Sequence, residues 1–368
     1  MKKKVKGCLL ICLVPLLLLT AMVVWSNIND GWRATDVSIP TPIEVNQRPV
    51  AAGGSNFIIM ENGDLWAWGF NQWGADSWEA RFTPKKIWED VAFACAQWRH
   101  FLLISSDGTL FARGQNDFGQ IGDGTLGGGQ ALPIPIMENV TAVSAGINHS
   151  TAITQDGTLW VWGDNEANWR GDAWLSPVSI MDNVVAVSAS TSSRTLVVSS
   201  DNTLLNINIR SERRPTEIMD DVIAVAPGGR SLAITSDGVL WAWGVNNHGQ
   251  IGDGTRQNRD TPVRIMDDVV AVSASSNNSM AITSDGSLWV WGDNGNGQIG
   301  DGTKRNRISP VLIMENVVYA HSGESHSIAI TADGNVWAWG NNEFGQLGDG
   351  TTIDRHYPVK IMDNILLP

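Results

Sequence analysis

The chain has 368 residues, with 38 glycines, 18 tryptophans and only 17% charged residues, and a formal net charge of −13. Outside residues 1–25 there are 21 bases against 38 acids, and so acidic a domain repels phosphate backbones, which argues against nucleic acid as a partner. Of three cysteines, Cys8 and Cys12 lie in an N-terminal apolar run and Cys95 stands alone, which excludes an intradomain disulfide or a thiolate zinc cluster.

Residues 1–6 are basic, and Gly7 to Trp25 carry no charge. As a helix that run spans roughly 28 Å, close to the hydrocarbon thickness of a bilayer. The lysines before it favour a cytoplasmic N-terminus and place everything after Trp25 outside. The alternative, a cleaved signal peptide, needs a shorter apolar run and a small-x-small site; this run ends in Val23-Val24-Trp25. The expectation is a transmembrane signal-anchor helix over 7–25 with the domain on the extracytoplasmic side, or secretion if the segment is cleaved. Residues 26–48, with scattered Asn, Asp, Pro and Thr, read as a linker.

From residue 49 the chain repeats itself. Ser284 to Thr303 reads SDGSLWVWGDNGNGQIGDGT, and close copies begin at Ser106, Ser236 and Ala332. More decayed copies begin at Glu61, Gln155 and Ser200, making seven. The units lie near 49–90, 91–139, 140–183, 184–221, 222–268, 269–316 and 317–368.

One unit, 269–316, sets the pattern. VVAVSAS and NSMAIT read as two short strands. The Asp285-Gly286 turn suits the positive backbone angles of a tight hairpin. SLWVWG is a third strand, DNGNGQIGDGT a loop, and SPVLIMEN a fourth strand opened by Pro310. No part shows helical period. Four strands in about 48 residues, seven times over, predict an all-β, seven-bladed β-propeller.

In LWVWG, alternation puts Trp289 and Trp291 on one face and Leu288 and Val290 on the other. Neither face is polar, so both must be covered, as between stacked blades. Five such W-x-W pairs hold ten of the tryptophans. Ala271, Ser273 and Ala274 on the first strand are small enough to let a neighbour's tryptophans come close.

A recurrent Met measures the period: Met137, Met181, Met219, Met266, Met314 and Met362 are 44, 38, 47, 48 and 48 residues apart. The short step marks the fourth unit, which has lost both its tryptophans and its GQIGDGT loop. It is expected to be the thinnest blade, with a gap in the rim. Ring closure should bring residues 41–54 beside 357–365, with the closing segment left open.

The unit resembles the repeat of the regulator of chromosome condensation family. Ala145-Gly146-Ile147-Asn148-His149-Ser150 and Ser322-Gly323-Glu324-Ser325-His326-Ser327 match its opening, and W-[AV]-W-G-x-N-x-x-G-Q-[IL]-G-D-G-T its body. The resemblance covers about 320 residues and implies a seven-bladed propeller. The short unit and the membrane segment look more like bacterial members. The family's founding member is a nucleotide-exchange factor that binds chromatin. This chain departs from it in its acidity, its membrane segment and its lack of a basic tail, so fold is carried over and exchange activity is not.

Chemistry-bearing residues mostly fall on repeat positions. His100, His149 and His326 share one position at the start of the second strand, where a structural hydrogen bond is expected. The aspartates Asp123, Asp253, Asp301 and Asp349 of GDGT are read as turn caps. No convergent acid, base or nucleophile emerges, so no enzyme, cofactor or metal is expected. Trp88 takes the place of a repeat Met and is read as core. Residues that break the repeat on loops are better candidates for partner contact, since Trp and Tyr dominate hot spots. These are Trp73, Trp78, Trp98, Trp169 and Trp174, with Phe118, His248 and Phe344 at the loop position of Trp73. The function expected is an extracytoplasmic scaffold that offers loops on one rim to an unknown protein partner. The alternatives are a surface glycan-binding module and a guanine-nucleotide-exchange-type regulator of a small GTPase.

Overall fold

Each repeat folds as one antiparallel meander. The computed structural model describes residues 55–69, 81–97, 100–164, 174–189, 194–208, 212–227, 230–363 and 365. The expected membrane helix, the linker and residues 41–54 lie outside the described residues. No helix among the described residues is long and apolar enough to cross a membrane.

Seven sheets follow in chain order, and together they make an all-β, seven-bladed propeller. The blades cover 55–88, 91–137, 140–181, 184–219, 222–266, 269–314 and 317–362. Six have four strands; blade one shows three among the described residues. In blade six the inner strand is Val269–Ala274, the second Asn278–Thr283, the third Leu288–Gly292 and the outer Arg307–Met314. Each strand pairs with the next, in the order expected from the sequence. Blade four also keeps four strands, so it is not thin in strand number. What it lacks is the loop, since its third strand ends at Asn208 and its outer strand starts at Glu212.

The core is divided among the blade junctions. Leu288 and Val290 pack with Ala329 and Trp339 of blade seven, while Trp291 packs with Leu232, Leu240 and Ile251 of blade five. The two faces of the third strand are thus covered by the two neighbouring blades, which is why neither is polar. Trp88 packs with the apolar cluster between blades one and two, its ring 6.3 Å from that of Phe111.

The hairpin between second and third strands also clasps the next blade. Gly286 has φ +80°, and its carbonyl accepts from the amide of Val317, the first residue of blade seven, at 2.8 Å. The same bond recurs at every junction described. In blade four Asn202 stands in the glycine's place at φ 66° and accepts from Val222. The Asn or Asp before each inner strand, such as Asn316 at φ 58°, is also left-handed. That conformation explains why the IMEN and IMDD motifs end in residues that tolerate it.

The ring closes through blade one. Ile58 and Trp68 share a buried cluster with Ile328, Ile330, Val336 and Ile365. Ile365 donates to the carbonyl of Gly334, repeating the clasp of Val317 on Gly286.

Candidate interaction surface

The face opposite the clasping hairpins carries the GQ[IL]GDGT loops of blades two, five, six and seven. At the centre of each is a buried Asn. In blade six Asn294 donates through Nδ2 to Asp301 and to the Thr303 carbonyl at 3.1 and 3.0 Å, and its Oδ1 accepts from the Ile299 amide at 2.9 Å. Asn116, Asn246 and Asn342 repeat this. A single side chain therefore satisfies donors and acceptors that a strand would otherwise pair.

The GDGT aspartates cap turns, as expected, and do more. Asp301 Oδ1 accepts from the amide and hydroxyl of Thr303, while Oδ2 takes the Arg307 guanidinium that opens the outer strand. Arg259 and Arg355 hold Asp253 and Asp349 in the same way. Burial alone would raise the pKa of Asp301, but the Thr303 donors and Arg307 outweigh it and hold the carboxyl below its usual range. Among the described residues no three or more His, Cys, Asp or Glu are grouped to hold a metal ion.

Each loop latches onto the following blade. The carbonyl of Gln298 accepts the indole N–H of Trp339 at 2.9 Å and the hydroxyl of Ser327 at 2.7 Å. Gln250 receives Trp291 and Ser279, and Gln120 receives Trp162 and Ser150. At closure the Gln346 carbonyl receives the indole of Trp68 and the side-chain Nδ2 of Asn56. A loop glycine completes the latch, as Gly302 N donates to His356 O at 2.9 Å. The second glycine of the motif lies under the indole. A Cβ on Gly300 would come within 2.6 Å of Trp339 Nε1. It is this loop glycine that allows the tryptophan its close approach, beyond the small residues of the inner strand.

The buried histidines join the same network. Ser150 spends its proton on Gln120, so His100 Nε2 donates to Ser150 Oγ at 2.7 Å. His326 Nε2 donates to Asn56 Oδ1 at 2.8 Å, and His149 Nε2 lies 3.3 Å from Thr195 Oγ1. Burial is the largest cause that pulls both His100 and His326 down to about 3, so they are neutral.

The expected contact residues separate under this geometry. Phe118, His248 and Phe344 occupy the tip of their loops, each with its amide bonded to the side-chain oxygen of the Gln two residues on. Phe344 is 44% exposed, and Phe118 is half-buried. His248 leans onto the next loop, 3.6 Å from Asp293 Oδ1. Trp174 is not on a loop. It opens the outer strand of blade three opposite Gly163 and packs against the apolar clusters on both sides. Trp73, Trp78, Trp98 and Trp169 lie outside the described residues. The latch itself was missed as a function of GQ[IL]GDGT. One signal for it was available: Trp at the second W-x-W position goes missing in blades two and four, which follow the broken loops of units one and three, although blade five keeps Trp243 after the loopless blade four.

These blades, tied ring-wise by indole-to-carbonyl latches, define a seven-bladed repeat propeller. The chain belongs to the regulator of chromosome condensation repeat family. Its family model, the Regulator of chromosome condensation (RCC1) repeat, matches residues 107–153, 237–282, 285–330 and 333–365, and a second model of that description matches 140–168 and 269–298. The four stretches matched by the first model contain the four intact latch loops. Among solved structures, yeast RCC1 (Prp20), crystallised with Kap60 bound, superposes with a TM-score of 0.72 at 17% identity, over 94% of this chain and 91% of that one. Prp20p from Saccharomyces cerevisiae, studied with its binding to Gsp1p and histones, gives 0.51 at 18% identity over 85% and 76%. The Arabidopsis thaliana ultraviolet-B receptor UVR8 is 29% identical over 104 residues, a match that spans only 25% of this chain and 23% of the receptor.

Proposed function

We propose that the chain is a protein-interaction scaffold whose working surface is the face carrying the latch loops, with the propeller tethered on the extracytoplasmic side by residues 7–25. The observation that carries this reading is how the polar groups are used. The buried histidines and the GDGT aspartates are bonded within and between blades, and what remains open on this face is a set of loop side chains such as Phe344. Rigid loops with exposed aromatic tips suit binding and not catalysis. Neighbours of the same fold that hold Kap60, or bind Gsp1p and histones, are precedents for such a ring as a protein platform.

Two measurements test it. A photo-reactive residue at Phe344 in the full chain should crosslink to protein, while one at Asp237 on the hairpin face should not. The reverse pattern would overturn the choice of face. Protease added outside intact cells should degrade the propeller; protection of the domain would overturn the extracytoplasmic placement.

A further inference from the structure

The outer strands repeat closely, and the residue before their proline is small in four blades and large in three. It is Thr83, Ser176, Thr261 and Ser309 in blades one, three, five and six, but Leu132 in blade two, Arg214 in blade four and Tyr357 in blade seven, the one aromatic of the series. Ser176 and Ser309 fit beside the GDGT turn of the preceding blade. Ser309 Oγ would be 3.7 Å from a Cβ on Gly254, and Ser176 Oγ 3.5 Å from one on Gly124. Tyr357 lies across its turn instead, with its hydroxyl 2.0 Å from where a Cβ on Gly302 would be. It is therefore held against blade six and is still 65% exposed.

Its surroundings are unusual for so acidic a chain. Lys304 follows Gly302 by two residues, is 51% exposed on its side chain and reaches Asp354 at 4.0 Å. Arg305 is exposed and forms no ion pair among the described residues. Ile353, beside Asp354, is 60% exposed. At the loop position of Arg305, blade five has Gln257 and blade seven has Ile353.

The backbone under these side chains is fixed. The buried Asn294 donates to the carbonyl of Arg305 and Asn342 to that of Ile353, both at 3.1 Å. The amides of Arg305 and Ile353 donate to Thr303 and Thr351 hydroxyls at 3.2 Å. A large apolar side chain on an ordered loop loses little conformational entropy when a partner covers it. Tyr and Arg are also the residue types that most often anchor interfaces.

From this juxtaposition we propose that Lys304, Arg305, Ile353 and Tyr357, at the junction of blades six and seven, form a docking patch for an acidic protein segment that carries a large apolar side chain. The two cations select the charge of the partner, and Tyr357 with Ile353 covers its apolar residue. The domain as a whole is acidic, and the adjacent exposed cations Lys304 and Arg305 offset that charge locally. The proposal rests on the scaffold reading and names one partner chemistry for it.

The test uses a fluorescent peptide of alternating Glu and Phe, with two controls in which Lys replaces Glu or Ser replaces Phe, and reads anisotropy with the full-length protein. The Glu–Phe peptide should bind, and weaken as salt rises from about 0.05 to 0.2 M. Tyr357→Ser, which installs the residue of blades three and six, and the double variant Lys304→Glu/Arg305→Glu should each weaken it about tenfold. Ser309→Ala, at the matching position of blade six, should leave it unchanged, and unaltered thermal melts show that the variants fold. Equal binding by wild type and both variants, or binding of the Lys–Phe peptide in preference, overturns the patch. A photo-reactive residue at Tyr357 that crosslinks to no protein, while one at Phe344 does, removes the patch and leaves the scaffold standing. Crosslinking at neither position removes both.

Discussion

The indole nitrogen of Trp339 in blade seven donates to the carbonyl of Gln298 in blade six, at 2.9 Å and across 41 residues of chain. The bond ties the third strand of one blade to the loop of the one before it. Three other junctions repeat it. Blades four and five are the contrast: Ile207 replaces the tryptophan in blade four, and Trp243 of blade five, which follows the blade with no loop, is half-buried where Trp291 and Trp339 are fully buried.

The latch leaves no space for a Cβ on its glycine. Gly300→Ala combines a left-handed φ of +89° with the indole at 2.6 Å. It is expected to cost about 2–5 kcal/mol, from backbone strain and overpacking together. Gly128→Ala, at φ +81° with nothing within 4 Å, should cost only the strain, about 1–2 kcal/mol. Urea midpoints compare the two. Equal losses would show that the indole contact adds nothing.

The first tryptophan of each pair has its own partner. Trp160, Trp241, Trp289 and Trp337 donate to threonine hydroxyls six residues earlier, at 3.1–3.4 Å. Met60 occupies that place in blade one, and the buried Nε1 of Trp66 has no partner among the described residues. Met60→Thr should be more stable than Met60→Val by about 1 kcal/mol, because only the hydroxyl separates them. Paired thermal melts decide it, and equal stabilities would mean that Trp66 is satisfied in another way.

Acid should act in two windows. The unfolded chain protonates His100 and His326 near pH 6.5, whereas the folded chain resists until about 3. The unfolded state therefore binds more protons between these values, and stability falls as pH drops through that window, by roughly 1 kcal/mol per pH unit per histidine. His326→Gln should flatten the slope between pH 6 and 4. The carboxyls of Asp253, Asp301 and Asp349 are held low, so their contribution is present above the unfolded carboxylate pKa and is lost only below about pH 4. Asp301→Asn should change that lower limb and leave the upper one. Urea titrations across pH 3–7 measure both, and an unchanged upper slope in His326→Gln would refute the assignment.

The missing latches predict an uneven ring. Amides of the third strand Leu204–Asn208 in blade four should exchange hydrogen faster than those of Leu288–Gly292 in blade six, because local opening follows the contacts that hold each blade. Replacing residues 209–211 with residues 245–258 of blade five would supply Trp243 with a carbonyl acceptor. The graft should slow exchange in blades four and five and stabilise the chain by about 1 kcal/mol. Uniform exchange around the ring would contradict the account.

Much of this was legible before folding was considered. The repeat of about 48 residues specified seven meanders. The alternation in LWVWG required cover on both faces, and Asp-Gly turns marked five of the seven hairpins. Such features are local or periodic, and one strand's pattern suffices to read them. Trp174 shows the limit. Its neighbours in sequence are a broken loop, yet pairing with Gly163 draws it onto a strand and into the core. Tyr357 shows the converse, because its sequence position reads as ordinary outer strand and only the turn of blade six beneath it makes it a platform.

The amino-acid sequence by itself determined the number of blades, the order of strands within each and the place where the pattern decays. All three follow from spacing along the chain. Tertiary structure alone decided what GQ[IL]GDGT is for. Its carbonyl, glycine and asparagine act on groups tens of residues away, and partners brought together by ring closure leave no mark in the spacing of either.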